Sequence, residues 1–270
     1  LYKTADKKLD GEMLNRNQYP QFFIQKKDEE QIVRQLLKVL NIKLAKAISS
    51  KGIKAIKQTI GKIMEEALEG PVGASLSSLP ETIEILLFGA KKNPDLLDAL
   101  AAMNTKSPVI IEHSINVLAL TMQYAFYKKI DEDDVKNLAL CALLHDIGTS
   151  KVSRELIETK DTLTDEQFAE YKQHTKKGYR DMELFPSFDK SVALTALEHH
   201  ERLDGSGYPN KTRTISKEAQ IIAVIDSYEP LKYREKNFRK ALSPYDALQI
   251  IKKDVVLGKY NKQVFKDLCS

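Results

Sequence analysis

This sequence predicts an all-α fold, and three observations support the prediction. From about residue 32 onward, apolar residues recur at the three- and four-residue spacing of a helix face. Serine, threonine and aspartate, some followed by proline, stand where helices would begin. Strand signal is nearly absent, because Tyr19–Ile24 is the one strand-like stretch. We therefore expect a smaller, mainly helical N-terminal region with at most one short strand, followed by a larger helical domain.

The N-terminal region divides into a polar segment and two helices. Residues 1–27 are polar and mixed, whereas residues 28–69 carry two apolar stripes. The first stripe is Ile32, Leu36, Leu37, Leu40 and Ile42, and the second is Ile53, Ile56, Ile60 and Ile63. Gly70–Gly73, with serines soon after it, is the clearest breaker-rich stretch. We therefore predict a regulatory or interaction region at residues 1–75 and a second domain at residues 82–270.

Capping residues mark the helix starts of the second domain. They are Ser107 with Pro108, Asp131 or Asp133, Thr164 with Gln167 as a capping box, Ser216, and Ser243 with Pro244. The helices they predict include Val135–Leu144, Lys190–Leu197, Lys217–Tyr228 and one from Ser243 through Val256, closed by Gly258. The helix that Thr164 begins is expected to carry His174.

Charge and cysteine content narrow the class of protein. With 42 basic and 38 acidic residues the net charge is +4, which gives no electrostatic case for binding a nucleic acid polymer or a membrane. The lysine-rich, acid-free span Lys43–Lys62 indicates a solvated face or, alternatively, a partner or membrane surface. Cys141 and Cys269 form no disulfide framework, so we expect a reducing, cytoplasmic location. No apolar run is long enough for a transmembrane segment.

The histidines are the strongest functional signal. All five lie between residues 113 and 200, namely His113, His145, His174, His199 and His200. Neutral imidazole is the commonest protein ligand for transition metals, and carboxylates stand beside these histidines. The pattern predicts one polynuclear metal site. Cys141, one helical turn before His145, could add a soft ligand, but a buried core role is the better interpretation.

His145 and Asp146 directly follow the apolar run Leu138–Leu144. Burying two polar side chains at the end of such a helix is costly unless something satisfies them. A metal ion would do so, and an aspartate can bridge two cations through its two oxygens. The alternative is an Asp–His hydrogen-bonded pair at a helix end, and the dipeptide alone does not decide between the two.

The adjacent pair His199 and His200 opens a second motif that runs to Pro209. Neighbouring residues in a helix point about 100° apart, so both imidazoles can serve one centre only where the helix ends or distorts. Gly205 and Gly207 follow closely and can take the backbone angles of such an ending.

Together these motifs resemble the HD-GYP family of the HD superfamily of metal-dependent phosphohydrolases. The matching segments are His113–Val117, His145–Gly148, Tyr171–Gly178, His199–Pro209 and Ile222–Asp226. They cover roughly residues 82–250, in order. The resemblance implies an HD-type helical bundle around a metal centre, usually of iron or manganese, that hydrolyses cyclic di-GMP.

The resemblance also implies roles for individual residues. One metal would be held by His113, His145, Asp146 and Asp226, and Asp146 would bridge to a second metal held by His174, His199 and His200. Asp146 and Tyr208 would be the catalytic residues, with Tyr208 on the substrate phosphate. Two divalent cations can share a hydroxide that attacks a phosphodiester at neutral pH. Mixed nitrogen and oxygen ligands with vacant positions suit iron or manganese better than four-coordinate zinc, and we expect two divalent ions, iron with manganese as the alternative.

Three departures from the family pattern bear on the substrate. Val109 stands where many members carry a glutamate ligand for a third metal, so two metals and the linear product pGpG are expected. Thr149 replaces a phosphate-binding lysine; Lys151 could substitute for it or could be a surface lysine. The segment after Asp226 is altered and contains Pro230, although Arg239 is expected to bind phosphate or guanine.

These departures leave other functions open. The chain could bind metal and cyclic di-GMP with little or no turnover, as a sensor or partner-docking module. It could also hydrolyse another phosphorylated substrate, such as a mononucleotide or a different cyclic dinucleotide. The amphipathic N-terminal stripes indicate a surface for a protein partner or a homodimer.

Overall fold

The computed structural model describes residues 25, 28–70, 72–103, 105, 107–234 and 240–270. Within these residues the regular structure is helical and contains no strand, which confirms the all-α prediction. The predicted strand Tyr19–Ile24 lies outside the described residues. In the described part of the chain, no helix is both long enough and apolar enough to cross a membrane.

The helices follow one another through short connections. Their bounds are α1 Glu29–Ser49, α2 Ile53–Glu69, α3 Val72–Leu76, α4 Leu79–Lys92, α5 Asp95–Ala102, α6 Val109–Tyr127, α7 Glu132–Leu144, α8 Arg154–Glu158, α9 Asp165–Tyr171, α10 Gln173–Glu183, α11 Lys190–Glu198, α12 Lys217–Tyr233, α13 Pro244–Val256 and α14 Lys262–Leu268. A short 3-10 helix, Ile147–Lys151, lies between α7 and α8.

The apolar stripe predicted for the first helix was partly wrong. Leu37 and Leu40 are buried as expected, but Leu36 and Ile42 are exposed. The buried face of α1 includes Val33, Leu37, Leu40 and Leu44. Their spacing of four, three and four residues follows one side of a helix, whereas Leu36 and Ile42 fall outside it. The second stripe is confirmed at Ile56, Ile60 and Ile63, which are fully buried.

One continuous apolar core extends from Val33 in α1 to Phe265 in α14. Helix α1 packs on α4, and α2 packs on α5 and α6. The N-terminal helices therefore share the core of the following helices. The division into residues 1–75 and 82–270 stays a prediction.

Four predicted N-cap positions are confirmed, and one is wrong. Asp131 and Ser216 precede α7 and α12 without a side-chain cap hydrogen bond, whereas Thr164 and Ser243 form one. The hydroxyl of Thr164 accepts from the backbone of Gln167 in a complete capping box, and Ser243 caps α13. Ser107 does not cap α6, because Pro108 takes an extended ψ of 146° and the helix begins at Val109.

Two predicted helix bounds also need correction. The helix capped by Thr164 ends at Tyr171, and His174 lies at the start of the next helix, α10. The predicted helix Lys217–Tyr228 continues to Tyr233 through Pro230.

Candidate metal centre

The centre is built around Asp146, which directly follows the C-cap residue of helix α7. Apolar packing of α7 brings His145 and Asp146 into the interior, where each is less than 5% exposed. Gly148 then lets α10 approach closely. A Cβ atom at this position would lie 2.0 Å from the carbonyl oxygen of His174 and 2.4 Å from the backbone nitrogen of Gly178. The absent side chain therefore lets α10 bring His174 to Asp146.

The two carboxylate oxygens of Asp146 face two groups of histidines. Oδ2 lies 3.8 Å from Nε2 of His113 and 3.7 Å from Nε2 of His145. Oδ1 lies 3.2 Å from Nε2 of His174 and 3.5 Å from Nε2 of His199. This is the geometry of a carboxylate placed between two cation sites.

The first half of the centre joins helices α6, α7 and α12. Nε2 of His113 lies 2.9 Å from Oδ1 of Asp226 and 3.2 Å from Nε2 of His145. Nε2 of His145 lies 3.7 Å from the same oxygen of Asp226. Side chains from three helices thus place their possible metal-ligand atoms around one point beside Asp146.

The second half joins the start of α10 to the end of α11. Helix α11 ends at Glu198, so the successive rings of His199 and His200 lie with centroids 4.1 Å apart, as the sequence predicted for a helix end. Nε2 of His199 lies 3.4 Å from Nε2 of His174. Nδ1 of His200 lies 3.9 Å from Oδ2 of Asp226, which links the two halves.

Backbone hydrogen bonds orient three of the rings. Nδ1 of His145 lies 2.8 Å from the carbonyl of Ala142, Nδ1 of His174 lies 2.7 Å from that of Tyr171, and Nδ1 of His199 lies 3.0 Å from that of Thr195. In each ring the Nδ1 proton is donated to the carbonyl, so Nε2 of the neutral ring keeps a lone pair. All three lone pairs face the interior of the centre.

These residues fit a metal ion for a physical reason. Facing lone pairs repel, so close approaches between Nε2 atoms and carboxylate oxygens are favourable only with a proton or a metal cation between them. Oδ1 of Asp146 and Nε2 of His200 are buried and have no hydrogen-bond partner among the described residues. Six of the seven predicted ligands, all except Asp226, form two groups. Within each group the ligand atoms lie within 4.8 Å of one another, and Asp146 belongs to both groups.

The protonation states also suit metal binding. Burial alone would raise the pKa of Asp146, but the neighbouring His145 and His199 outweigh it and hold that pKa well below its usual range. Burial raises the pKa of Asp226, but the hydrogen bond from His113 and the neighbouring histidines together outweigh it and hold that pKa well below its usual range. Burial also lowers the pKa of His174 to about 4. The carboxylates are therefore anionic and His174 is neutral at pH 7.

His113 differs from the other rings. Burial and the positive charge of Arg234 lower the pKa of His113. Glu229 and Asp226 together have the larger, opposite effect, so the pKa rises from 6.5 to about 9. In the metal-free protein the ring is therefore a cation between two carboxylates. A metal at Nε2 must displace that proton.

A cavity of about 310 Å³ opens onto the centre. Its lining combines metal-ligand candidates with two arginines and apolar groups, and includes His113, Asp146, His200, Asp226, Arg202, Arg234, Tyr171 and Pro230. The cavity thus places positive side chains beside a site suited to cations, which favours an anionic ligand.

The loop after His200 is shaped by close backbone contacts. The buried carboxylate of Glu201 accepts from the backbone nitrogen of Asn210 at 2.6 Å. A Cβ atom on Gly207 would lie 2.4 to 2.5 Å from the backbone of residues 200–202, so only glycine fits. Tyr208 consequently packs on His200 with a centroid distance of 4.7 Å. Burial raises the pKa of Tyr208, so its hydroxyl stays protonated.

The predicted substrate-binding residues have different positions. Lys151 forms an ion pair with Asp181 and is absent from the lining of the cavity. Thr149 turns inward and donates to the carbonyl of Asp146 at 2.6 Å. Arg239 lies outside the described residues. Arg234 lines the cavity.

Sequence reasoning missed Glu229, the residue that orients His113. Its Oε2 lies 2.7 Å from Nδ1 of His113, and its Oε1 accepts from Asn116 at 2.7 Å. A carboxylate behind a histidine ligand fixes the ring and raises its basicity. The signal was present, because Glu229 follows Asp226 by three residues, and Asn116 follows His113 by three, on the same helix faces.

The fold and this site define a helical protein with a buried histidine–aspartate metal centre. The sequence model described as "HD domain" matches residues 97–264. The chain belongs to the HD domain family.

Proteins named as cyclic dinucleotide phosphodiesterases are similar in sequence to part of the chain. It is 28% identical over 177 residues to cyclic di-GMP phosphodiesterase PA4108 of Pseudomonas aeruginosa, covering 65% of this chain and 42% of the relative. It is 28% identical to 3'3'-cGAMP-specific phosphodiesterase 1 of Vibrio cholerae, covering 60% and 38%. It is 31% identical to cyclic di-GMP phosphodiesterase PdeB of Borreliella burgdorferi, covering 58% and 41%. The chain thus spans less than half the length of these relatives.

A solved structure supports the fold. Bd1817, an HDG"Y"P protein from Bdellovibrio bacteriovorus, superposes with a TM-score of 0.70 at 23% identity, covering 89% of this chain and 79% of that one. Together with the named relatives, it confirms the resemblance to HD-GYP proteins that the motifs indicated.

Proposed function

We propose that the chain is a metal-dependent phosphodiesterase that hydrolyses a cyclic dinucleotide, cyclic di-GMP, to linear pGpG. The observation that carries the proposal is the placement of Asp146, whose two oxygens face two separate histidine groups beside a cavity with two arginines. Relatives named as cyclic di-GMP and 3'3'-cGAMP phosphodiesterases support this substrate class.

Each half of the centre would hold one divalent cation. His113, His145 and Asp226 would hold the first, His174, His199 and His200 would hold the second, and Asp146 would contact both. Bound there, the cations would supply positive charge and a nucleophile at neutral pH. Iron is the metal we propose, with manganese as the alternative, because nitrogen and oxygen donors are mixed.

The protein side chains would hold and orient the substrate. Arg202 and Arg234 line the cavity and can pair with phosphate oxygens of a cyclic dinucleotide, which carries two phosphodiester anions. The protonated hydroxyl of Tyr208 would donate to the phosphate beside His200. The ring contact with His200 fixes where that hydroxyl can reach.

The surroundings of Val109 support a centre of two metals rather than three. Nη2 of Arg234 donates to the carbonyl of Val109 at 3.2 Å. A guanidinium therefore lies beside the backbone of the residue at which the family pattern has a glutamate, and its positive charge disfavours another cation nearby. Two-metal members of the family are associated with stopping at pGpG, which is the product we propose.

A second candidate function is binding without turnover, as a sensor of cyclic di-GMP or a docking module. Specific observations favour it. Thr149 faces the interior, and Lys151 is engaged by Asp181, so neither brings a phosphate-binding cation to the cavity. An HD-GYP protein without that cation could bind its ligand and hydrolyse it very slowly or not at all.

The test compares the purified chain, loaded with Fe²⁺ or Mn²⁺ under reducing conditions, with a His145→Ala variant. Cyclic di-GMP and 3'3'-cGAMP are supplied separately, and linear products are separated by chromatography. The proposal expects pGpG without further conversion to GMP. Tight calorimetric binding with no product would favour the sensor, and product from 3'3'-cGAMP alone would change the substrate. Equal product from the His145→Ala variant would contradict the assigned centre.

A further inference from the structure

Lys57 is a charged side chain with no exposed surface, which is rare for lysine. It belongs to helix α2, outside the family match at residues 97–264. Its ammonium group donates to the carbonyls of Leu100, at 2.9 Å, and Met103, and pairs with Glu112 at 2.8 Å. Both carbonyls lie at the C-terminal end of α5, where a cation is favourable.

A further hydrogen bond of Lys57 leads toward the metal centre. Its Nζ donates to Oδ1 of Asn116 at 2.7 Å, and Nδ2 of Asn116 donates to Oε1 of Glu229 at 2.7 Å. An ammonium group only donates and a carboxylate only accepts, so the amide of Asn116 has one orientation that satisfies both neighbours. These three side chains are at most 3% exposed, so water cannot replace the bonds cheaply.

The last bond of this series ends at a metal-ligand candidate. Oε2 of Glu229 lies 2.7 Å from Nδ1 of His113, whose Nε2 faces Asp226 and Asp146. Glu229 therefore contributes to the orientation of His113, next to Asp226 on the other side of the ring. Asn116 and, at 3.5 Å, Arg234 hold Glu229, and Lys57 holds Asn116.

We infer that Lys57 is a positioning residue for the half of the metal centre that contains His113. Helix α2 thereby sets the metal affinity of that half. The inference rests on the proposed metal-dependent function and adds to it a contribution from a helix outside the matched family segment.

The other half of the centre provides an internal comparison. Two of its three rings are held by backbone carbonyls, with His174 bonded to Tyr171 and His199 bonded to Thr195. A change at Lys57 should therefore weaken one metal site and spare the other.

The experiment uses four variants of the full chain. Lys57→Met and Asn116→Leu each remove one link, and the double variant removes both. Lys54→Met is the matched control, because Lys54 is exposed one turn earlier on α2. Circular dichroism first establishes that each metal-free variant is folded. Calorimetric titration with Mn²⁺ then measures the affinities of the two sites, and electron paramagnetic resonance distinguishes a single bound ion from a coupled pair.

The inference expects Lys57→Met to weaken one Mn²⁺ site by about 10- to 100-fold, the usual effect of losing a group behind a metal ligand. The other site and the Lys54→Met control should match the wild type. The double variant should equal Asn116→Leu alone, because Lys57 acts through Asn116.

Three results would overturn the inference. They are wild-type affinities in folded Lys57→Met, equal weakening of both sites, or additive effects in the double variant, which would indicate a role in folding only. If Lys57→Met does not fold, the Asn116→Leu variant provides the test. In that variant Lys57 keeps its bonds to Leu100, Met103 and Glu112. Wild-type Mn²⁺ affinities in Asn116→Leu would overturn the inference. Absence of Mn²⁺ binding by the wild type would instead refute the metal centre itself.

Discussion

Oε2 of Glu229 lies 2.7 Å from Nδ1 of His113, and both side chains are buried. This contact makes Glu229 the carboxylate behind a metal-ligand candidate, in a segment that departs from the family pattern. It connects the chemistry of the centre to the packing of α6 on α12, and it is directly testable.

Replacing Glu229 by glutamine should weaken metal binding by about 10- to 100-fold. The amide keeps the shape of the side chain but lacks the charge that favours the bound orientation of His113. Metal affinity is measured by competition with a chelator. Glu218→Gln, a substitution on the first turn of the same helix α12, serves as the control. Equal affinities in the two variants would show that Glu229 plays no part in the centre.

Replacing His174 by glutamine should change the pH dependence of stability in the metal-free protein. The pKa of His174 is lowered to about 4, from 6.5 in the unfolded chain. Between those values the unfolded chain binds a proton that the folded protein does not, so stability falls as the pH drops from 6.5 toward 4. The loss amounts to about 3 kcal/mol.

Urea unfolding with chelator present, measured across this pH range, checks the prediction. The wild type should lose stability more steeply than His174→Gln. His113 contributes in the opposite direction: its raised pKa stabilises the fold below pH 6.5, and that contribution is lost between pH 6.5 and about 9. Parallel curves for wild type and variant in the acid range would contradict the assigned burial of His174.

Replacing Tyr208 by phenylalanine should lower kcat/KM while leaving the fold intact. The ring contact with His200 is kept, and one hydrogen bond to a charged phosphate is lost, a cost of about 1.5–3 kcal/mol, or roughly 10- to 100-fold. Steady-state kinetics and thermal melting separate the two effects. Tyr208→Leu, which also loses the ring, should melt at a lower temperature. Unchanged kinetics in Tyr208→Phe would remove the hydroxyl from the mechanism.

Replacing Gly207 by alanine should disrupt the loop that carries Tyr208. The added Cβ would lie 2.4 to 2.5 Å from backbone atoms of residues 200–202, which cannot move without displacing His200. We expect destabilisation of at least about 1–3 kcal/mol and loss of one metal. Gly258→Ala is the control, since its φ of +77° costs about 1–2 kcal/mol but no atom lies within 4 Å. Full metal content in Gly207→Ala would contradict the packing.

Several of the predicted ligand candidates sit in short motifs, which is why the sequence pointed to residues that the fold brings together. His145 and Asp146 end an apolar helix, and His199 and His200 occupy a helix end, so local rules place their side chains. The same local rules could have identified Glu229, because it follows Asp226 by three residues on one face of a helix.

Other features depend on packing that no local pattern encodes. The ion pair of Lys151 with Asp181 joins elements 30 residues apart. The burial of Lys57 depends on how α2 meets α5 and α6, and its place in a lysine-rich span had indicated a solvated face. In α1, Leu36 and Ile42 are as apolar as the residues that are buried, so only the packing partner decides which side faces the core.

The central claim is that Asp146 lies between two metal ions. Anomalous diffraction from crystals grown with excess Mn²⁺ tests it directly. Two peaks should appear on either side of the Asp146 carboxylate, one beside His113 and His145 and the other beside His174 and His199. A single peak, or none, with Asp146 bonded only to protein groups, would contradict the account.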